Sequence, residues 1–235
     1  MLQKLRDTWR RRPFPTCLES LRRMRISYSQ FGEDLIATLL LGYERTEGLY
    51  VDVGCYDPIQ WSNTWLFYQR GWSGLCIDPN PAAAQRWKDR RPRDRFVQAG
   101  AGPRGMLHYM MYADFPACNH LVTEADKEAA FRKEPAPITS IPVEVIPLAD
   151  LFEEHVGGSG NVIDLMCVDC EGMDLEVLKT NDFERFRPRV LIVEDSTEKV
   201  AGDINVFLTG LGYVRVASMV LSAVYAVPEC ARNVS

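Results

Sequence analysis

Acidic residues recur where the apolar, strand-like segments of this sequence end. Asp52 stands two residues before Gly54 in YVDVGCYDP (residues 50–58), and Asp78 ends the apolar part of LCIDPNP (75–81). The carboxyl ends of parallel strands meet at one edge of a sheet, where α/β proteins bind their ligands. We therefore expect one acidic rim, to which later strand-like segments add Asp169, Glu171, Glu194 and Asp195.

The glycine content of the first turn indicates which cofactor this rim would bind. A dinucleotide needs G-x-G-x-x-G, so that backbone amides can approach its pyrophosphate. The turn here has one glycine, Gly54, and an anionic pyrophosphate would be repelled by Asp52 and Asp57. A carboxylate at the end of the second strand, where Asp78 lies, can accept hydrogen bonds from both ribose hydroxyls. The pattern favours S-adenosylmethionine, a cationic nucleoside without phosphate, over the alternative that these acids only form turns.

The predicted cofactor-binding residues lie at these strand ends and at the start of the helix that follows the first strand. They are Asp52, Gly54, Tyr56, Ser62, Asn63, Asp78, Pro79, Asn80, Gln98 and Ala99.

Methyl transfer from such a cofactor to an aliphatic hydroxyl requires activation of the hydroxyl, because the hydroxyl is a poor nucleophile. A base of raised pKa could assist in concert, and Asp169, Glu171 and His120 are the candidate catalytic residues. A divalent cation could instead lower the hydroxyl pKa. Asp169, Glu194 and Asp195 are the candidate oxygen ligands for Mg²⁺. The residues leave these two alternatives open.

Alternating strands and helices must position these residues. Apolar runs predict strands over residues 48–54, 74–78, 95–99, 106–112, 141–146, 162–169, 190–194, 213–217 and 221–227. Helical patterns cover residues 32–41, 63–70 with Ser62 as N-cap, 81–89, 123–132, 147–155, 173–180 and 203–211. This alternation predicts an α/β fold with a mainly parallel sheet, helices on both faces and a final hairpin that adds one antiparallel strand.

Composition and charge favour one globular domain behind a basic leader. The chain has 235 residues, 46% of them hydrophobic, and a net charge of −5. Residues 1–26 carry eight basic and two acidic side chains, so residues 27–235 form an acidic body, which argues against nucleic-acid binding. The leader could contact an anionic membrane surface, but helices docked on the domain are the favoured interpretation. A homo-oligomer is compatible with the sequence. Seven scattered cysteines predict a reduced, cytoplasmic protein.

Six segments together carry a family resemblance. They are YSQFGED, YVDVGCYDP, SNTWLFYQRGWSG, IDPNP, DLMCVDCEGMDLEVLK and RPRVLIVED, and the similarity runs over residues 27–227. The chain resembles the FkbM-type methyltransferases, class I O-methyltransferases of polyketide and saccharide biosynthesis. The resemblance implies a seven-stranded, Rossmann-like class I methyltransferase fold, with S-adenosylmethionine bound around Asp52 and Gly54 and by Asp78. It also implies a small-molecule or saccharide hydroxyl as acceptor. The chain departs from the family at Asp57, where histidine is common, and at residues 221–223, where asparagine is common.

Two other functions are compatible with the residues. A nucleotide-dependent oxidoreductase is disfavoured by the missing glycines. A catalytically silent, partner-binding module on the same fold would bind its partner through the basic leader. Tight binding of the methyl donor would exclude the first alternative, and turnover on any acceptor would exclude the second.

Overall fold

The computed structural model describes residues 24–157, 162–195 and 198–233. The first 23 residues of the predicted leader lie outside this described part. Its eleven strands are β1 Leu49–Val53, β2 Ser73–Ile77, β3 Arg95–Val97, β4 Gly100–Ala101, β5 Gly105–Met111, β6 His120–Val122, β7 Thr139–Ile146, β8 Leu165–Val168, β9 Val190–Glu194, β10 Val214–Ser218 and β11 Ser222–Ala226.

The α-helices in these ranges connect the strands. They are α1 Glu33–Leu41, α2 Trp65–Gln69, α3 Ala83–Arg90, α4 Glu124–Phe131, α5 Leu148–His155, α6 Asp174–Lys179, α7 Glu198–Gly210 and α8 Pro228–Ala231. None of the helices in the described ranges is both long and apolar enough to cross a membrane.

Seven strands form the main sheet, in the order β10-β11-β9-β8-β1-β2-β3. β1 pairs in parallel with β2 and β8, β2 pairs in parallel with β3, and β8 with β9. β11 runs antiparallel to both of its neighbours, β9 and β10. The sheet is therefore mixed, with the parallel strands at its centre. Because β1 lies between β2 and β8, the carboxyl ends of these three strands meet at one edge.

Burial explains why the central strands read as apolar runs. All four residues of β8 are buried, as are the last four of β1 and of β2. Successive side chains of a strand point to opposite faces, so consecutive burial means that both faces of the sheet are covered. Each buried aliphatic side chain contributes about 1.5–3 kcal/mol of hydrophobic stabilisation.

A second, four-stranded sheet, in the order β4-β7-β5-β6, was only half predicted from the sequence. β5 and β7 pair antiparallel over seven residue pairs, and the sequence predicts both strands. β4 and β6 were missed, because segments of two and three residues are too short to show an alternating pattern. β6 begins at His120, so this sheet carries a candidate catalytic residue.

Helix α1 is joined directly to β11 and to the segment that follows α8. The hydroxyl of Ser222, in β11, donates to a carboxylate oxygen of Glu33, in α1, at 2.9 Å. The side-chain amide of Asn233 donates to the carbonyl oxygen of Leu40 at 2.8 Å. Both Glu33 and Ser222 are buried. The start of α1 is therefore fixed at the carboxyl edge of the main sheet.

Candidate active site

A cavity of about 520 Å³ opens at the carboxyl ends of β1, β2, β8 and β9. This volume is in the range of small-molecule sites. Asp78, Pro79 and Ala99 line it on the side of β2 and β3, and Asp169, Glu171 and Glu194 line it on the side of β8 and β9. The cavity therefore spans the strand ends at which the sequence predicts a ligand.

Gly54 allows two strand ends to meet beneath the cavity. Its φ is +74°, and a Cβ atom at this position would lie 1.7 Å from the backbone oxygen of Asp169. Its N–H donates to the carbonyl oxygen of Ile77 at 2.9 Å. A side chain at residue 54 would separate the end of β1 from the end of β8. Close packing of the two strand ends therefore requires glycine at residue 54.

Asp78 is a buried carboxylate whose position is fixed by backbone donors. It accepts hydrogen bonds from the N–H groups of Tyr56 and Asn80, each at 2.8 Å. Burial raises the pKa of Asp78, and these two hydrogen bonds oppose the rise. A carboxylate has about four acceptor positions, so two remain for hydroxyl groups of a ligand in the cavity. The residue therefore fits the predicted contact with a ribose.

Two aromatic rings form a stacked wall beside Asp78. The rings of Tyr56 and Trp61 lie 6.2 Å apart with an interplanar angle of 25°, and both residues line the cavity. Both have positive φ, 43° for Tyr56 and 57° for Trp61, which is unfavourable for bulky side chains. Backbone strain of this kind is common at ligand-binding sites. Trp61 remains 48% exposed, so its ring is available to a bound molecule.

Four carboxyl groups cluster on the side of β8 and β9. Asp169 and Glu194 are hydrogen-bonded to each other, and burial together with the charges of Glu194, Asp174 and Glu171 raises the pKa of Asp169 well above its usual range. Burial and the charge of Glu194 raise the pKa values of Glu171 and Asp174 to about 7. Because like charges so close together cannot all ionise, the cluster holds protons at neutral pH. It can therefore donate or accept a proton.

The structure does not assemble the three predicted Mg²⁺ ligands. Asp195 is ion-paired with Arg215 at 3.0 Å, instead of joining Asp169 and Glu194. Adjacent residues at a strand end point in opposite directions, which explains why Glu194 lines the cavity and Asp195 does not. No group of three acidic, histidine or cysteine side chains in the described ranges is arranged to hold a metal ion. The described part of the structure therefore does not support the predicted three-carboxylate Mg²⁺ site.

Comparison with known protein families identifies the family to which the chain belongs. A family model described as the methyltransferase FkbM domain matches residues 52–215. The chain belongs to this family. The match begins at β1 and ends in β10, so it includes the strand ends that form the cavity. None of the curated protein sequences matches the chain.

Solved methyltransferase structures are similar to this FkbM methyltransferase at low identity. A TehB-like SAM-dependent methyltransferase from Corynebacterium glutamicum ATCC 13032 Kitasato is 14% identical, covers 95% of this chain and 96% of its own, and has a TM-score of 0.41. Precorrin-6y C5,15-methyltransferase from Geobacter metallireducens GS-15 is 11% identical, with 82% and 88% covered and a TM-score of 0.39. Cofactor-bound Rv0187 from MTB is 12% identical, with 87% and 82% covered and a TM-score of 0.42.

Two predicted cofactor-binding residues of the FkbM domain lie behind the cavity. Asp52 and Ser62 are buried and absent from its lining. Asp52 accepts a hydrogen bond from the hydroxyl of Thr64 at 2.5 Å, and Ser62 accepts the backbone N–H of Trp65 at 3.1 Å. Ser62 is therefore not the N-cap that the sequence predicts, because α2 begins at Trp65 instead of residue 63 and its N-cap is Thr64. These two residues fix the loop that follows β1.

Arg91 holds this loop from inside the protein. Its side chain is fully buried. Its guanidinium donates to Asp94 (2.6 Å), the carbonyl oxygen of Pro58 (3.2 Å) and the hydroxyls of Tyr50 (2.7 Å), Ser62 (3.2 Å) and Thr64 (3.0 Å). The sequence reasoning missed this residue, because the run RRPRDR (90–95) gives no sign that one arginine is buried.

Asp57, which replaces the histidine common in the family, shapes the same loop. Its carboxylate accepts the backbone N–H groups of Ile59 and Gln60 at 3.0 and 2.9 Å. It also pairs with Arg86 of α3 at 3.2 Å. It is outside the cavity lining. Asp57 therefore contributes a turn and a surface ion pair to the domain.

The second sheet and its loops form the remaining wall. His120 lines the cavity, and its ring stacks on that of Tyr112 at 5.7 Å. Tyr109, from β5, and Asn119 also line the cavity, and sequence reasoning missed both. The only sequence signal for this wall is the aromatic and methionine content of residues 106–112.

The segment before α1 closes the cavity near β11. The buried carboxylate of Asp34 accepts the N–H of Tyr28 at 2.8 Å and the hydroxyls of Ser27 and Ser29 at 2.6 and 3.0 Å. This arrangement places Gln30 and Glu33 in the lining. YSQFGED stood out in the sequence as part of the family resemblance only.

The predicted site residues thus divide into two groups. Those in the cavity lining are Gly54, Tyr56, Asn63, Asp78, Pro79, Ala99, His120, Asp169, Glu171 and Glu194. Those outside the lining are Asp52, Ser62, Asn80, Gln98 and Asp195. The buried side chain of Asn80 instead accepts the N–H of Ala82 at 2.9 Å.

Proposed function

We propose that this FkbM methyltransferase transfers the methyl group of S-adenosylmethionine to a hydroxyl of a sugar or secondary metabolite. One observation carries the proposal: a single cavity has a carboxylate suited to a ribose at one side and a proton-holding carboxyl pair at the other. The acidic lining favours a cofactor that carries a sulfonium and an ammonium group. The experiment below tests both parts.

The residues around β1 and β2 fit this cofactor. Asp78 has acceptor positions left for the ribose hydroxyls. The stacked rings of Tyr56 and Trp61 offer an aromatic surface to a base. Gly54 lets the end of β8 pack against this turn, which brings Asp169 to the same cavity. Bound S-adenosylmethionine would supply an electrophilic methyl group.

The pair Asp169 and Glu194 handles the proton of the acceptor. Burial and the neighbouring carboxylates raise the pKa of Asp169 well above its usual range, so this hydrogen-bonded pair can hold one proton and leave the other carboxylate as the base. With S-adenosylmethionine bound, the acceptor oxygen would form the new C–O bond as the C–S bond breaks and leaves its electron pair on sulfur. The hydroxyl proton passes to the unprotonated carboxylate of this pair and from there to solvent. A base whose pKa lies near the working pH is the most effective one for such a concerted transfer.

Two measurements test the proposal. Calorimetry should detect S-adenosylmethionine binding to the full chain, and a screen with a labelled methyl group should identify a hydroxyl acceptor. Failure of the cofactor to bind would end the proposal. Binding without turnover on any acceptor would favour a silent module.

Asp169→Asn tests the catalytic assignment. The substitution keeps the shape of the side chain but removes the base, so turnover should fall at least about 10²-fold while cofactor affinity stays within about twofold. Asp195→Asn is the matched control, because Asp195 lies one residue beyond Glu194 and outside the cavity. Near-normal turnover of Asp169→Asn would remove this residue from the chemistry and leave His120 as the remaining candidate base.

A further inference from the structure

A second, larger cleft adjoins the cofactor cavity. It has a volume of about 1080 Å³ and lies between α4 and strands β5 and β6 of the second sheet. The two spaces share one wall, formed by Phe115, Cys118, His120, Leu121, Glu171 and Met173. A molecule in the cleft would therefore reach the cofactor cavity past Glu171 and His120.

The cleft is lined mainly by apolar side chains. They include Leu107, Tyr112, Phe115, Val122, Ala130 and Pro135. Phe115, on the shared wall, leaves 58% of its surface exposed. Arg104 is ion-paired with Asp150, and the hydroxyl of Thr123 donates a hydrogen bond to Asp126. Lys133, Glu134 and Glu171 add further charges to the lining, but the apolar side chains outnumber the charged ones. The cleft therefore suits a ligand that has an apolar part.

The helix that borders the cleft leaves room for such a ligand. Asp126, Ala129, Ala130 and Lys133 line the cleft at helical spacing, which places them along one side of α4 and its continuation. The central positions of this row are the two alanines. Larger apolar side chains there would fill the space against β5 and β6, as in an ordinary helix–sheet contact.

We propose that this cleft binds the apolar part of the methyl acceptor. The acceptor is a sugar that carries an alkyl or aryl group, and its hydroxyl enters the cofactor cavity beside Glu171. This inference rests on the proposed function. It adds that recognition of the acceptor depends on a hydrophobic group of the acceptor, away from the reacting hydroxyl. The second sheet provides part of the surface that binds this group.

Two sugar probes test this acceptor class. Octyl β-glucoside, below its micelle concentration, and methyl β-glucoside differ only in the alkyl chain. Calorimetry with the full chain saturated with S-adenosylhomocysteine should give at least about tenfold tighter binding of the octyl compound, since each buried methylene adds hydrophobic stabilisation. Equal binding of the two glucosides, or no binding of either, would overturn the inference.

A cleft-filling substitution tests the location. Ala129 is exposed and lines the cleft, so Ala129→Trp should obstruct part of it without disturbing the core and should remove most of the preference for octyl β-glucoside. Ala125→Trp is the matched control, because Ala125 is an exposed alanine of the same helix outside the lining. S-adenosylhomocysteine should bind both variants like the unmodified chain. A preference that survives Ala129→Trp would place the alkyl chain elsewhere.

The two proposals fail in different ways. If the unmodified chain did not bind S-adenosylhomocysteine, the proposed function itself would be contradicted. Intact binding without discrimination between the glucosides would contradict only the role of the cleft.

Discussion

Arg91→Met should show how far the loop that follows β1 depends on a buried charge outside the cavity. The guanidinium is the buried cation nearest to Asp94 and forms a 2.6 Å ion pair with it, both side chains being at most 1% exposed. Its charge also acts on Asp52. Burial raises the pKa of Asp52, and the charge of Arg91 opposes part of this rise. Methionine would fill much of the space but leave these carboxylates without their cation.

The expected loss of stability follows from this burial. Removal of one partner of a buried ion pair typically costs about 3–5 kcal/mol, because the other charge stays buried and uncompensated. Urea unfolding, followed by tryptophan fluorescence, measures this loss. Arg132→Met is the control: its ion pair with Glu128 is 75% and 80% exposed, so less than about 0.5 kcal/mol should be lost.

Arg91→Lys distinguishes the effect of Arg91 on the loop after β1 from its effect on the stability of the whole fold. Lysine keeps the charge but lacks the planar, forked donors of arginine. It cannot donate at once to Asp94, Tyr50 and the carbonyl oxygen of Pro58. We expect a smaller loss of stability than in Arg91→Met, together with about tenfold weaker binding of S-adenosylmethionine through the loosened loop. A loss below about 1 kcal/mol in Arg91→Met would refute the network as a stabilising element. Unchanged cofactor affinity in folded Arg91→Lys would refute its role in positioning.

Three further variants test the other parts of the site. Asp78→Ala should weaken S-adenosylmethionine binding by roughly 1–3 kcal/mol, because ribose hydroxyls and the Tyr56 N–H lose an acceptor; unchanged affinity in calorimetry would remove Asp78 from the site. Gly54→Ala should fold poorly or lose the cofactor, because its Cβ would overlap the Asp169 backbone; a normal melting curve with normal binding would contradict that packing. Burial raises the pKa of Asp174 to about 7, whereas an unfolded carboxyl titrates near about 4. The contribution of Asp174 to stability is complete below that lower value and is lost as the pH rises through about 7. Asp174→Asn should therefore flatten the pH dependence of urea unfolding in this window, and an unchanged slope would contradict the raised pKa.

The sequence predicts the main sheet well because its central strands are covered on both faces. Segments such as Val190–Glu194 then appear as continuous apolar runs, and this strand has the predicted ends. The acids at the strand ends are visible for the same reason, since each interrupts an apolar run. β4 and β6 lack this signal, because short strands of a smaller sheet need few apolar residues.

The direction of a side chain is harder to predict than its place along a strand. Asp52 and Asp78 occur in similar contexts, yet Asp52 binds Thr64 behind the cavity and Asp78 lines it. Asp52 lies within β1 at the level of Cys76, whereas Asp78 lies one residue beyond the end of β2. A shift of one residue along a strand changes the face to which a side chain points, and this effect separates Glu194 from Asp195. Arg91 illustrates a different limit, because its burial depends on partners from distant segments.

The contact between Glu33 and Ser222 has a consequence for biosynthesis. The two residues are 189 positions apart in sequence, and both line the cofactor cavity. A ribosome extends the chain from its N-terminus, so α1 emerges long before β11 exists to complete the cavity wall. Such a distant contact also forms late in folding, since long loops must close first. The nascent chain therefore cannot assemble the complete cavity wall until β11 has been synthesised.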